Sequence, residues 1–418
     1  MKKITMSAIA LTTIFSSFTT ANADGINILD DVQYNAQIRT RLEVASDQGK
    51  VGDRAQALTN RLHLKLSANL FGIENLKATL GAQVVNDFGY NHYNSKMNNQ
   101  NQYDVILDPE FGMLSEASLD YTSGKTLFHA GRSQVKLDNQ RFIGTVGWRQ
   151  NERSYDTLFI ANNSIPGLSL LGAWVYGYQG VGPKPGTQDM STTDTNSVLL
   201  HAKYSLSDSM ALTAYDYMLA NIHDTYGIAL TGKTPTTVPL KYRLEVAMQK
   251  DASMSIHQQT PTTGKADANY FNVDLSTKVT NVIIGANYEL QSGSTGTDGK
   301  TAFTTPLGTN HKFNGWADKF LKTPRGGLED INIRLGYVDK GFGKLLGFYH
   351  IFSSDKNMPT ATGAGDDLGT EFDAVYVNKI PGFTNLTGLI KGAYYMGGDV
   401  TGYDKDKKVA WAQLDYKF

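Results

Sequence analysis

Basic residues recur at every second position in several short stretches of this chain. Arg39-x-Arg41-x-Glu43, Arg61-x-His63-x-Lys65 and Lys241-x-Arg243-x-Glu245 interleave with mostly apolar residues, and Arg334 sits in a similar alternation. On an extended strand this spacing puts every base on one face. The chemistry such a face offers is that of a wet lining. Guanidinium and ammonium groups around a passage attract anions, and the charge and width of the narrowest point set what passes. The expected lining bases are Arg39, Arg41, Arg61, Lys65, Arg132, Lys241, Arg243 and Arg334, with Glu43, Glu116, Asp120 and Glu245 as lining acids. The alternative is that these charges pair across neighbouring strands and only fill a wall.

Reaction chemistry finds less support. The eight histidines are dispersed. No H-E-x-x-H, G-x-S-x-G or P-loop pattern occurs. Without cysteine, disulfides and thiolate metal sites are impossible. No catalytic residue, metal site or cofactor is expected.

One segment has the composition of a constriction. Residues 136–153 carry Lys136, Asp138, Arg141, Arg149 and Arg153, with Trp148 among them. Phe142, Ile143, Val146 and Trp148 in the same stretch need burial against a wall. The segment is therefore expected to fold into the lumen, the alternative being a loop packed on the rim. A second segment, 311–321, places Phe313, Trp316 and Phe320 at spacings of three and four. It reads as a short amphipathic helix packed on the barrel mouth.

The elements that must position these residues are strands. In Arg61 to Leu70, four leucines and an alanine share one face while arginine, histidine, lysine, serine and asparagine share the other. Read this way the chain gives about eighteen strands of ~9–13 residues, the length a tilted membrane strand needs. They fall near 32–45, 58–70, 75–87, 112–122, 126–135, 152–162, 167–178, 196–206, 209–221, 226–232, 238–250, 268–279, 282–292, 330–339, 345–354, 368–379, 385–396 and 408–418. The connections alternate between short turns rich in Gly, Pro, Asn and Asp and long polar loops at 88–111, 136–151, 179–195, 251–267, 293–329 and 355–367. Short periplasmic turns and long extracellular loops are the habit of outer-membrane barrels. The expected fold is all-β: one closed transmembrane antiparallel barrel over 24–418, with no internal domain boundary.

The ends and the composition agree with an exported barrel. Met1-Lys2-Lys3, an apolar stretch from Ile4 and the small-x-small site Ala21-Asn22-Ala23 read as a signal peptide over 1–23. No later stretch has the roughly 20 apolar residues of a spanning helix. Glycine (41), tyrosine (22) and phenylalanine (18) are plentiful and proline (11) is scarce, as in barrels with aromatic girdles. The net charge of −1 gives no support to a nucleic-acid partner. At the C-terminus Leu414, Tyr416 and Phe418 alternate with polar residues. They look like the terminal aromatic signal by which bacterial barrels are recognised and inserted. The implied partners are outer-membrane lipid and lipopolysaccharide, the barrel-assembly machinery and a small polar or anionic solute.

Three sets of segments resemble the alginate-export family of outer-membrane barrels. The first is Arg39-x-Arg41-x-Glu43 with Thr59-Asn60-Arg61-x-His63. The second is Gly131-Arg132-Ser133-Gln134, Asp138-Asn139-Gln140-Arg141-Phe142-Ile143-Gly144, Gly147-Trp148-Arg149-Gln150 and Tyr155-Asp156. The third runs from Thr309 to Leu321, with Thr323-Pro324 and Gly327-Leu328-Glu329-Asp330 behind it. The resemblance implies an eighteen-stranded barrel. The function expected is passive diffusion of small polar or anionic solutes across the outer membrane. The alternatives are an exporter of an acidic exopolysaccharide and a non-conducting adhesive barrel. An exporter calls for a continuous basic path with few lumen acids, which this chain lacks. A plugged active transporter is disfavoured because no plug-like segment precedes the first strand.

Overall fold

Strict alternation of polar and apolar side chains over long stretches leaves the chain one economical solution. Every strand turns its polar side inward and its apolar side outward, and the sheet closes on itself so that no edge remains. The computed structural model describes residues 22–23, 26–49, 52–256 and 264–418. Apart from Asn22 and Ala23, the expected leader lies outside them. The described residues form a closed antiparallel barrel of eighteen strands. They are β1 (Leu29–Asp47), β2 (Ala55–Leu70), β3 (Ile73–Asn86), β4 (Phe111–Ser123), β5 (Thr126–Ser133), β6 (Ser154–Asn162), β7 (Leu168–Gln179), β8 (Thr193–Ser207) and β9 (Met210–Leu219). The circuit continues with β10 (His223–Lys233), β11 (Leu240–Lys250), β12 (Lys265–Val279), β13 (Val282–Ser292), β14 (Gly327–Asp339), β15 (Gly343–Thr360), β16 (Gly363–Lys379), β17 (Leu386–Met396) and β18 (Lys407–Lys417).

The last strand closes the circle on the first. Trp411 is opposite Glu43, Leu414 opposite Thr40 and Lys417 opposite Gln37. The seam ends in a reciprocal pair: Phe418 N–H donates to the Ala36 carbonyl at 2.9 Å and Ala36 N–H to that of Phe418 at 2.7 Å. Leu414, Tyr416 and Phe418 all stand exposed on the outer face.

That face is predominantly apolar. Ile333, Leu335 and Ile390 are 60 %, 63 % and 66 % exposed. In water such a surface would drive association; against hydrocarbon it is matched. A one-residue slip in register would turn these side chains inward and the charges into lipid, so the pattern also fixes the register. A concavity of about 920 Å³ lies on this outer face among Ile284, Ile333, Leu335, Leu345 and Phe372. It is a furrow in the apolar belt, remote from the lumen.

Three segments differ from expectation. The segment 355–367 is not a long loop: β15 runs to Thr360 and β16 restarts at Gly363. A register shift between Ser353 and Met358 absorbs the polar stretch that breaks the alternation. The expected strand 226–232 is longer, at His223–Lys233, with Gly227 and Gly232 interrupting its side-chain pattern but not its pairing. Segment 311–321 is not a helix either. Only Asn310–Lys312 form a single 3-10 turn, and the aromatic spacing serves an extended loop instead.

Candidate functional site

The barrel interior is narrowed by two loops that enter from the long-loop rim. The first is 134–153. Its apolar residues are buried inside the barrel: the Phe142 ring packs on Tyr215, Tyr217, Tyr270 and Phe303, and Ile143 joins the same cluster. The loop and the wall thus share a small hydrophobic cluster inside the barrel.

Its polar groups are held by the wall. Arg39 Nη1 donates to the Gly147 carbonyl at 3.0 Å and Arg41 Nη2 to the Trp148 carbonyl at 2.6 Å. Arg61 Nη1 meets Glu152 Oε1 at 2.7 Å, and Gln150 Nε2 donates to Thr59 Oγ1 at 2.9 Å. From the loop side, Arg141 reaches Glu289 with both Nε (2.7 Å) and Nη2 (3.0 Å). Tyr270 O–H donates to the same carboxylate at 2.6 Å. Arg41, Arg61 and Arg141 are 1 %, 0 % and 1 % exposed, so these guanidiniums are braces with no access to a passing ion.

The second loop is 293–326. At its tip the Trp316 N–H donates to Asp373 Oδ2 at 3.1 Å and the Ala317 N–H to Glu371 Oε1 at 2.6 Å. Gly315 makes this approach possible: it has φ +82°, and a Cβ there would lie 2.5 Å from a Glu371 oxygen. Lys391 lies among three tryptophan rings, with Nζ 3.9 Å from the Trp316 centroid, 4.0 Å from Trp148 and 4.9 Å from Trp411. An ammonium inside such a box is stabilised by the ring quadrupoles.

Lys391 Nζ donates to His311 Nε2 at 2.7 Å, so the imidazole proton sits on Nδ1, which donates to Asp318 Oδ1 at 2.6 Å. Burial pushes the His311 imidazole down to about 3, against the opposing pull of Asp318. Burial alone would raise Asp318, yet His311 and Arg149 together hold it below its ordinary value. Arg149 ties the two loops to the wall, with Nη2 2.7 Å from Asp318 and Nη1 3.2 Å from Glu43.

On either side of this junction the lumen opens. A cavity of about 170 Å³ lies toward the long-loop rim, touching Leu107, Val181 and Trp411. A larger chamber of about 400 Å³ lies deeper, against β11 to β15. Trp316 lines both. Among the described residues no cluster of histidine, aspartate and glutamate is arranged to hold a metal ion.

The other residues singled out from sequence are dispersed around the lumen. Lys65 pairs with Glu116 at 2.7 Å and Asp120 with His129 at 2.6 Å. Arg243 pairs with Glu245 at 2.7 Å, with Asp138 at 3.7 Å. Arg334 pairs with Asp274 at 2.6 Å. Lys136 and Lys241 are exposed. Arg153 Nη2 donates to the Pro306 carbonyl at 3.1 Å, joining the two loops.

Arg132 is not a lining residue. Its cross-strand neighbours are Ala117 and Asp156, which share the outer face with the exposed Leu119 and Leu158. Being next to last in β5, it escapes the hydrocarbon by chelating Asp156 at 2.6 and 2.7 Å and donating to Thr192 Oγ1 at 2.7 Å. The parity set by the outward Phe128 gives this placement away.

Sequence reasoning passed over Lys391, Glu371, Asp373, Glu289 and the Asp330–His350 pair, whose Nδ1 to Oδ1 distance is 2.9 Å. Alternation offered a signal for each. Glu371-Phe372-Asp373-Ala374 and Ile390-Lys391-Gly392 have the same in-and-out pattern as the stretches that were used.

No family model matches this chain, and no curated protein does. Solved structures do. The chain is similar to OpdL of Pseudomonas aeruginosa, with 13 % identity, a TM-score of 0.68, and 93 % of this chain aligned with 99 % of that one. It is similar to OpdK of the same organism, solved with vanillate, at 12 % identity and a TM-score of 0.68 over 94 % and 100 % of the two chains. OccK5 (OpdH) gives 13 % identity and 0.67 over 94 % and 99 %. At these identities the likeness is one of fold, and the fold is that of an eighteen-stranded outer-membrane porin.

Proposed function

We propose that this chain is an outer-membrane channel through which small polar solutes diffuse passively. The observation that carries the reading is the pairing of an apolar exterior with a polar lumen that two docked loops narrow without filling. Barrels of ~16–18 strands enclose more space than their own side chains occupy, which is how porins keep an aqueous path. The short turns face the periplasm and the long loops the exterior. Leu414, Tyr416 and Phe418 present the insertion signal to the assembly machinery, and the aromatic outer face meets lipid and lipopolysaccharide. OpdK, a structural neighbour, was solved with vanillate; a small solute of that size class suits the openings here.

The finer alginate-export reading rests on the three segment resemblances alone. A polyuronate exporter needs cations free along its path. The guanidiniums of Arg39, Arg41, Arg61, Arg141, Arg149, Arg243 and Arg334 each have a carboxylate no farther than 3.6 Å. That neutralised lining favours diffusion of small solutes over threading of a polyanion. It also argues against a catalyst, since the charged groups hold one another and not a reacting centre.

The test is ion current. The purified full chain reconstituted in a planar bilayer is expected to give discrete conductance steps. Protein that inserts, resists heat in detergent as folded barrels do, and passes no current would make it an adhesive or structural barrel instead.

A further inference from the structure

We propose that the deeper chamber is a binding subsite for a neutral, polyhydroxylated solute of monosaccharide to disaccharide size. The proposal rests on the channel reading and names what the channel prefers. The chamber, of about 400 Å³, falls in the range of small-molecule pockets, roughly 300–1,000 Å³.

Its wall is rich in carboxamides. Asn272, Asn287 and Asn332 project from β12, β13 and β14, and register sets Asn287 directly opposite Asn332 and Asp274 opposite Asn287. The row continues to His350 on β15. Neighbouring strands lie ~4.8 Å apart, a spacing that one pyranose ring bridges. The amides are only loosely engaged. Asn272 Nδ2 donates to the Tyr288 carbonyl at 3.4 Å, Asn287 Nδ2 to that of Val273 at 3.3 Å, and Asn332 Nδ2 to Asn287 Oδ1 at 3.4 Å and Asp330 Oδ2 at 3.3 Å. These are the long end of hydrogen-bond geometry. Each carboxamide offers both a donor and an acceptor, which is what adjacent hydroxyls require.

All the charges in the chamber but that of Lys312 are already matched. Arg334 grips Asp274 through both Nη atoms at 2.7 and 2.6 Å, and Arg243 grips Glu245 at 2.8 and 2.7 Å. Glu289 holds Arg141 and Asp330 holds His350. Except at Lys312, an ionic solute would have to break such a pair to find a counter-charge. A hydroxyl accepts from the guanidinium edge or donates to the carboxylate without breaking it. Lys312 is the chamber's one cation without a carboxylate within 4 Å among the described residues, and its Nζ donates to the Asn139 carbonyl at 2.9 Å.

Aromatic faces complete the chemistry. Phe348 and Trp316 line the same chamber with ring centroids 5.2 Å apart at 66°. An apolar sugar face packs on such a corner while its hydroxyls reach the amide row.

The experiment compares three solutes with one ring and different charge: glucose, glucuronate and glucosamine. Each is titrated against the full chain in a planar bilayer, reading the reduction of ion current, and against the detergent-solubilised chain, reading tryptophan fluorescence. Glucose is expected to reduce the current in a saturable way, and neither charged analogue to bind more than threefold tighter than it. The double variant Asn287→Leu/Asn332→Leu is expected to keep the unblocked conductance and weaken glucose block by about tenfold. Should the double variant fail to fold, Phe348→Ala is expected to weaken the block while leaving the unblocked current in place. Glucuronate binding tenfold tighter than glucose would overturn the proposal, as would glucose leaving current and fluorescence unchanged. Absence of current in every solution would refute the channel reading alone, because the fluorescence titration still decides the subsite.

Discussion

On the arc from β18 through β2, Arg39, Arg41 and Arg61 turn onto the carbonyls and carboxylates of the 134–153 loop, and Arg41 and Arg61 lose contact with water. On the arc from β11 to β15, Arg243 and Arg334 pair with acids of the wall itself and look onto an open chamber. The residue types are the same and the parity is the same. What differs is whether a loop covers them. A base on the lumen face attracts ions only where water reaches it, and on the first arc its role is to hold a constriction in place.

Four perturbations separate the two arcs. The largest effect is expected from deleting 138–147, which removes Arg141, Phe142 and Ile143 from the lumen. Single-channel conductance should rise by ~3-fold or more, because width at the narrowest point limits flow. An unchanged conductance would place the constriction elsewhere.

Next is the paired test of Arg141→Ala against Arg334→Ala. The first leaves Glu289 buried without its partner, a loss of ~3–5 kcal/mol. It should show as rapid flicker and lowered thermal stability. The second opens a partly exposed pair in the chamber, worth ~1 kcal/mol or less, and should leave open-channel noise unchanged. Equal effects would erase the distinction between the arcs.

A smaller effect is expected from pH. In the docked loop His311 titrates at about 3, whereas a free imidazole titrates near ~6.5. The undocked loop therefore takes up a proton first. Docking is at full strength above about 6.5 and weakens as pH falls from there toward 3, by at most ~10-fold per unit. Asp318, Lys391 and Arg149 are the charged neighbours that set this balance. Recordings between pH 7 and 4 should show increasing flicker, and His311→Asn should flatten the trend.

The smallest effect belongs to Arg132→Ala. It lies outside the lumen, so ion preference measured in a salt gradient should not move. A shift like that of Arg243→Ala would return Arg132 to the lining.

The strand framework was legible because alternation is a local property, carried by stretches such as Arg61 to Leu70 that need no partner to be read. It failed where pairing tolerates what the pattern does not, at Gly227 and at the bulge between Ser353 and Met358. The inward turn of 136–153 was legible too, since Phe142, Ile143 and Trp148 on a charged loop demand cover. The partners were not. Arg141 meets Glu289 and Arg149 meets Asp318 across long sequence separations. Apart from Arg243 and Glu245, two residues apart on one strand face, no local pattern encodes which acid a lumen arginine will find, and so the extent of neutralisation was not legible.

The reversal potential of the full chain in a potassium chloride gradient distinguishes a neutralised lining from a basic one. With its guanidiniums paired to carboxylates, the lumen should discriminate little between the two ions, and the potential should stay close to zero. A potential approaching the equilibrium value for chloride would mean that free positive charge lines the path, and the account of braced, neutralised arginines would be wrong.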